Sequence, residues 1–153
     1  MNIRRLMPRF ALCLSLVTVG CALDPTPTHS SADDALIRID QDYNDYNREF
    51  GFKQATEAYF DFGSAFIIEA GEGILTGEET ILSKRNFDQA PSPVYWNPTG
   101  SMSSKSADLG ITWGSFGIDG APDEKGSYLT VWRKVDGEWK IVTDLAVNDP
   151  SFD

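Results

Sequence analysis

Apolar residues recur with a helical period early in the chain and with a strand period in its last third. Over residues 33–50 the apolar side chains are spaced three and four positions apart, at Leu36, Ile39, Tyr43, Tyr46 and Phe50. This spacing predicts an amphipathic helix, which Gly51 ends. A shorter helix is predicted over 52–60. A third helix is predicted from the capping-box sequence TGEE at 76–79 to about residue 88.

The strand signals come mostly after these helices. A short apolar run at 64–70 is bounded by glycines, and four long alternating runs follow at 94–104, 107–119, 127–135 and 138–147. Asp136-Gly137 between the last two runs is a strong signal for a two-residue hairpin turn. Helices first and an antiparallel meander last indicate an α+β domain with about three helices packed in the concave face of a curved sheet.

The register of the last hairpin decides which face of the sheet carries Asp144, an acid in an otherwise apolar strand. Counting outward from the turn pairs Trp132 with Ile141 and Leu129 with Asp144. The larger, more aromatic face contains Trp132, and we expect it to face the helices. Asp144 is then predicted on the convex face, and only the reverse parity would place it in a pocket.

Four local sequences, in this order, resemble the nuclear transport factor 2-like superfamily, most closely its SnoaL-like and ketosteroid isomerase-like branch. They are Ala58–Phe60, Gly77–Ile81, Asp108–Gly114 and the hairpin segment Trp132–Val142. The resemblance covers residues 33–153. It implies a cone-shaped domain with a pocket, and it implies homodimers formed through the sheet. Apolar residues on both faces of the hairpin also favour a dimer.

The available chemistry is narrow, because the predicted domain contains neither cysteine nor histidine. Cysteine- or histidine-based nucleophilic catalysis and thiolate metal sites are therefore excluded, and we expect no metal and no cofactor. Carboxylates and tyrosines remain, and in an apolar pocket these can move protons beside a carbonyl group.

The resemblance implies a tyrosine on the first helix that donates to an oxyanion, and Tyr43 or Tyr46 could take this role. It also implies a base in the short strand, where an ungapped count from Phe60 reaches Ile68, one residue before Glu69. Glu69 and Asp144 are the candidate acids. The alternative for the tyrosines is core packing, and the alternative for Glu69 is a solvated acid beside a turn.

An aromatic set could line an apolar pocket or simply form the core: Tyr59, Phe60, Phe66, Trp96, Trp113, Phe116, Tyr128 and Trp132. The sequence therefore predicts a pocket domain that binds a small apolar ligand or acts as an accessory module. The alternative is an isomerase, cyclase or dehydratase that uses a pocket carboxylate and tyrosine. The incomplete catalytic set favours the non-enzymatic function, and a purely structural dimer is a third hypothesis.

The N-terminus has the pattern of an export signal over residues 1–20, with three arginines before a short apolar run. Residues 17–21, VTVGC, resemble a bacterial lipobox, which implies lipidation of Cys21; the alternative is ordinary secretion with Cys21 removed or left as a free thiol. Residues 21–32 are rich in proline, serine and threonine and are predicted to form a tether. We expect an exported, envelope-facing lipoprotein, and Ala22 favours the outer membrane.

The charge balance argues against nucleic-acid partners. The chain has 13 basic and 23 acidic residues and a net charge of −10. Removal of Arg4, Arg5 and Arg9 with the signal would leave 10 basic residues against the same 23 acidic ones. Such a surface repels phosphate backbones.

Overall fold

The computed structural model describes residues 31–85 and 89–149, which form three helices and six strands. The helices are α1 (Ser31–Phe50), α2 (Phe52–Tyr59) and α3 (Glu78–Ser83). The strands are β1 (Phe66–Glu69), β2 (Gly73–Thr76), β3 (Val94–Ser103), β4 (Leu109–Ile118), β5 (Ala121–Val135) and β6 (Glu138–Asn148). The predicted α+β order of helices followed by a curved antiparallel meander is confirmed.

Two local features near the third helix differ from the prediction. Strand β2 was not anticipated; it pairs antiparallel with β1, so that Ile68 lies opposite Ile74. The predicted capping box does not form, because the N-cap of α3 is Gly77, at a φ of 88°, with no side-chain cap hydrogen bond. Glycine accepts this backbone conformation without a steric cost, so the turn geometry replaces the threonine cap.

The four-stranded sheet has the order β3-β4-β5-β6, and helix α1 packs along its β3 edge. Polar side chains of α1 bond directly to the β3 segment. The Asn47 amide donates to the Val94 carbonyl at 2.7 Å, and the Asn44 carbonyl oxygen accepts from the Trp96 backbone N–H at 2.9 Å. Backbone groups that would otherwise lie unpaired at a sheet edge are thereby satisfied.

This polar contact changes which face of α1 is buried. Leu36 and Tyr43 are buried as predicted, but Asp40, Asn44 and Asn47 are buried with them, and Phe50 is exposed. The side of the helix that meets β3 must hydrogen-bond as well as pack, so it is not the most apolar side.

The core fills the concave side of the sheet. Its buried apolar residues are Leu36, Tyr43, Ala55, Phe60, Ala65, Ile67, Ile81, Trp96, Trp132 and Ile141. Leu36 lies over Gly110 on β4, where an added Cβ would come within 2.3 Å of the leucine Cδ1. Glycine at this position therefore permits α1 to approach the sheet closely.

A β-bulge in the last hairpin overturns the predicted position of Asp144. From the Asp136-Gly137 turn to the pair Trp132–Ile141 the register is as predicted, but the register then shifts, and Val131 pairs with Thr143. Val142 is the extra residue. Beyond it Asp144 lies opposite Thr130, on the concave face. The expectation that Asp144 points outward was wrong because one inserted residue reverses the parity of every later side chain.

Candidate functional site

A cavity of about 270 Å³ opens between the helices, β1 and the concave face of the sheet. It is lined by Tyr43, Phe52, Ile68, Glu69, Arg85, Val94, Trp96, Phe116, Ile118, Tyr128, Thr130, Asp144, Leu145 and Ala146. Tyr43, Trp96 and Thr130 are buried, whereas Ile68 is 48% exposed; Leu145 follows Asp144 on β6, so its side chain points to the convex face. The volume lies just below the usual range for small-molecule sites, so a compact ligand fits best.

An ion pair between Arg85 and Asp144 lies in the cavity wall. The two side chains are only 14% and 17% exposed, and the guanidinium also lies 5.2 Å from the centre of the Phe52 ring. Burial opposes the charge on Arg85, but Asp144 and Glu69 outweigh it, so the pKa of Arg85 lies above its ordinary value. The guanidinium is therefore a permanent positive charge in the wall.

Two buried donors, one of them on Arg85 itself, have no hydrogen-bond partner among the described residues. The Tyr43 side chain is 2% exposed, and its hydroxyl has no partner in hydrogen-bond geometry; the Arg85 Nε is also buried without a partner. Burial, together with the negative charge of Asp144, raises the pKa of Tyr43 above its ordinary value, although the nearby Thr56 side chain acts to lower it. The phenol thus stays protonated, and an acceptor oxygen could satisfy such orphaned donors.

A second polar cluster centres on Asp40, whose partners Trp96 and Tyr128 both line the cavity. Asp40 is completely buried; its Oδ1 accepts from the Trp96 indole N–H at 2.9 Å, and its Oδ2 accepts from the Tyr128 hydroxyl at 2.7 Å. Burial raises the pKa of Asp40, and these hydrogen bonds oppose the shift. The Tyr128 pKa is also raised, by burial and by the neighbouring Asp40 charge.

Three of the four predicted catalytic residues meet in the cavity. Tyr43, Glu69 and Asp144 all contribute to its lining. Tyr46 does not; it packs against Phe50 and Tyr59, at ring-centroid distances of 4.6 and 5.9 Å. The structure therefore leaves a tyrosine, two carboxylates and one arginine around a single space.

The aromatic set divides between the cavity, the core and the outer surface. Trp96, Phe116 and Tyr128 line the cavity. The others do not contribute to its lining: Phe60 and Trp132 are core residues, Tyr59 packs against the Tyr43 ring, and Phe66 lies on β1.

Trp113 lies far from its predicted place in the pocket. It is exposed on the convex face, where it pairs across strands with Leu129 and Gly100, and its ring covers the glycine. On β4 it has the opposite parity to the buried Thr112, and neighbouring residues of a strand point to opposite faces.

Neither Arg85 nor Asp40 was predicted from the sequence as a functional residue. Arg85 fell within the predicted third helix, where an arginine is usually solvated, but α3 ends at Ser83 and the chain turns Arg85 inward. Asp40 lies four residues after Leu36, in helical line with the core, and that spacing was a usable signal. A carboxylate in line with buried residues requires donors from elsewhere in the fold.

Within residues 31–85 and 89–149, no three His, Cys, Asp or Glu side chains form a cluster that could hold a metal ion. No helix in this part of the chain is both long and apolar enough to cross a membrane. The N-terminal signal, the tether and Cys21 lie outside the described residues.

No protein-family model matches the sequence, and no curated protein matches it significantly. Solved structures do match. An NTF-2 like protein of unknown function from Shewanella oneidensis MR-1 is similar with a TM-score of 0.59 and 14% identity, over 74% of this chain and 96% of that one. The chain has the nuclear transport factor 2-like fold.

Two further structures with this fold come from proteins of different kinds. A ketosteroid isomerase candidate from Parabacteroides distasonis ATCC 8503 has a TM-score of 0.59 and 12% identity, over 88% of this chain and 96% of that one. The CamKII hub homology domain of Chlamydamonas reinhardtii has a TM-score of 0.59 and 17% identity, over 79% and 100%. At such identities the nuclear transport factor 2-like fold is shared, and function must be argued from the cavity.

Proposed function

We propose that this domain binds a small, largely apolar ligand that carries a carbonyl oxygen. The observation that supports this most directly is the pair of unpartnered donors, the Tyr43 hydroxyl and the Arg85 Nε, among the residues that line the cavity. A buried donor without an acceptor is costly, and a ligand oxygen would remove that cost. The remaining walls are mostly apolar and suit a hydrocarbon body, with Phe52 and Phe116 among them.

The charges of the cavity favour a neutral ligand over an anion. Asp144 and Glu69 contribute two carboxylates, whereas Arg85 is the one cation in the lining described here. At an effective dielectric constant of about 20, an added negative charge roughly 4 Å from an unpaired carboxylate is repelled by about 4 kcal/mol. A ketone, ester or amide oxygen meets the same donors without this repulsion.

Acetophenone is a suitable first probe, with benzoate as its anionic counterpart. Trp96 lines the cavity, so ligand binding should change its fluorescence, and calorimetry gives the affinity independently. We expect acetophenone to bind more tightly than benzoate. Tyr43→Phe should weaken acetophenone about two- to tenfold, since one hydrogen bond is worth about 0.5–1.5 kcal/mol.

Tyr46→Phe is the matched control, because Tyr46 lies on the same helix but outside the cavity lining. It should leave the affinity unchanged. Equal losses in both variants, or tighter binding of benzoate, would contradict the proposal.

A proton-transfer enzyme is the second candidate function, because Tyr43 lines the same cavity as the two carboxylates. Asp144 or Glu69 would take a proton from the carbon beside the ligand carbonyl. Tyr43 would donate a hydrogen bond to the resulting enolate oxygen. Against this function, the Asp144 charge is already paired with Arg85.

Deuterium exchange at the methyl group of acetophenone in D₂O, followed by NMR, tests the enzyme directly. Catalysed exchange that is lost in Asp144→Asn or Glu69→Gln, and retained in Asp61→Asn outside the cavity, would support it. No exchange above the buffer rate would exclude this chemistry and leave the binding function.

We also propose that two copies associate through the convex face of the sheet. Trp113, Leu129 and Leu145 form a cross-strand row there, and each is exposed. Exposed apolar rows of this kind commonly mark interfaces. Light scattering should give a dimer for the wild type and a monomer for Trp113→Ser, with Ser115→Ala, next in line on the same face, as the control. A monomeric wild type would refute the dimer.

Export and lipid anchoring through Cys21 are part of the same proposal, and they rest on the signal and lipobox pattern. The intact mass of the exported protein should include the lipid, and Cys21→Ser should release the protein from the membrane fraction. Unmodified Cys21, or cleavage at another residue, would contradict the anchor. Fractionation of inner and outer membranes tests the expected outer-membrane location.

A further inference from the structure

The Tyr128 hydroxyl donates a hydrogen bond to Asp40. The hydroxyl lies 2.7 Å from Oδ2, and the other carboxylate oxygen accepts from the Trp96 indole N–H at 2.9 Å. An ionised carboxylate can only accept hydrogen bonds, and an indole N–H can only donate. Two donors aimed at Asp40 stabilise its ionised form, and in that form Tyr128 donates to Asp40.

A tyrosine hydroxyl has a single proton, so its oxygen is left with acceptor capacity only. Tyr128 is half-buried and belongs to the cavity lining, whereas its partner Asp40 does not. The cavity consequently has donors without partners at Tyr43 and Arg85 and an acceptor at Tyr128.

We propose that Asp40 is a positioning residue that makes the Tyr128 hydroxyl an acceptor, and that the ligand therefore carries a hydroxyl or N–H donor in addition to its carbonyl oxygen. This inference rests on the proposed binding function and narrows it to compact hydroxy ketones and amino ketones. A buried polar group that a site is built to pair discriminates strongly against ligands that lack its partner.

Substituted acetophenones test this directly. The 3- and 4-hydroxy compounds carry a donor, the methoxy compounds only an acceptor, and the methyl compounds neither. All are compared at a pH below the pKa of the hydroxyacetophenones, by the same fluorescence and calorimetry assays. In the wild type we expect the better hydroxy isomer to bind roughly five- to tenfold more tightly than its methyl and methoxy counterparts.

Two variants separate the role of Asp40 from general structural support. Tyr128→Phe removes the acceptor and should abolish the preference for the hydroxy compound. Asp40→Asn can still accept from Trp96 through its Oδ1, but its amide now donates to the Tyr128 oxygen. The tyrosine proton is then free to turn toward the ligand, so the methoxy compound should gain relative to the hydroxy compound. A purely structural role would weaken all probes alike.

A ligand-independent measurement accompanies the binding series. Proton NMR should show a slowly exchanging tyrosine hydroxyl proton that disappears in both Tyr128→Phe and Asp40→Asn. Equal wild-type affinity for the hydroxy and methyl compounds, or absence of this proton, overturns the inference and leaves the proposed function in place. Failure of every acetophenone to bind overturns both. The wild-type and Tyr128→Phe results do not depend on whether Asp40→Asn folds.

Discussion

Removal of the Arg85 guanidinium should be far more damaging than removal of a surface arginine. Arg85→Met keeps an apolar side chain against Phe52 but leaves Asp144 unpaired, with its side chain only 17% exposed. Opposite charges about 4 Å apart are worth roughly 4 kcal/mol at an effective dielectric constant of about 20. Breaking a buried pair from one side typically costs about 3–5 kcal/mol. We expect the free energy of unfolding to fall by an amount in this range.

The assay is urea unfolding followed by tryptophan fluorescence, with Arg133→Met as the matched control. Arg133 is 44% exposed, and its partner Asp61, although only 18% exposed, keeps the hydrogen bond from the Ser64 hydroxyl when Arg133 is lost, so this loss should cost no more than about 1 kcal/mol. The double variant Arg85→Met/Asp144→Asn should be more stable than the sum of the two single effects predicts, because position 144 then carries no unpaired charge. Equal costs for Arg85→Met and Arg133→Met, or additivity within about 0.5 kcal/mol, would refute this reasoning.

Three other expectations concern stability. The Ser64 hydrogen bond and the Arg133 pair hold the pKa of Asp61 below its ordinary value of 3.8. The stability that Asp61 adds is therefore present above about pH 4 and is lost as the pH falls through the folded-state pKa of Asp61. Asp61→Asn should therefore cost about 1 kcal/mol or less at neutral pH, and a cost that is undiminished in acid urea titrations would contradict this. Gly110→Ala should cost about 1–3 kcal/mol by collision with Leu36, and less in a Leu36→Ala background, as a double-mutant cycle would show. Isosteric Thr112→Val should lower the free energy of unfolding by about 1–3 kcal/mol, because the Trp132 indole N–H loses its 2.8 Å acceptor; Thr112→Ser keeps the hydroxyl, loses only one methyl group and should cost less, about 1 kcal/mol.

The sequence alone was sufficient for the architecture of the domain. Helical and alternating periods, Gly51 and the Asp136-Gly137 turn are local signals, and α1, β3, β4 and β6 lie close to where these signals predicted them, whereas β5 begins at Ala121, ahead of the predicted run at 127–135. The burial of Tyr43 on α1 and of Trp96 on β3 could also be predicted, because the face that each residue occupies follows from the periodicity of its neighbours.

Only the tertiary structure decided the content of the cavity. The bulge at Val142 has no local sequence signal, yet it turns Asp144 inward. Arg85 becomes a cavity residue because its partner lies 59 positions away, on β6, and Asp40 is satisfied by Trp96 and by Tyr128, which is 88 positions distant. Period and turn signals act over a few residues, whereas a buried charge is tolerated only where distant parts of the chain supply its partner.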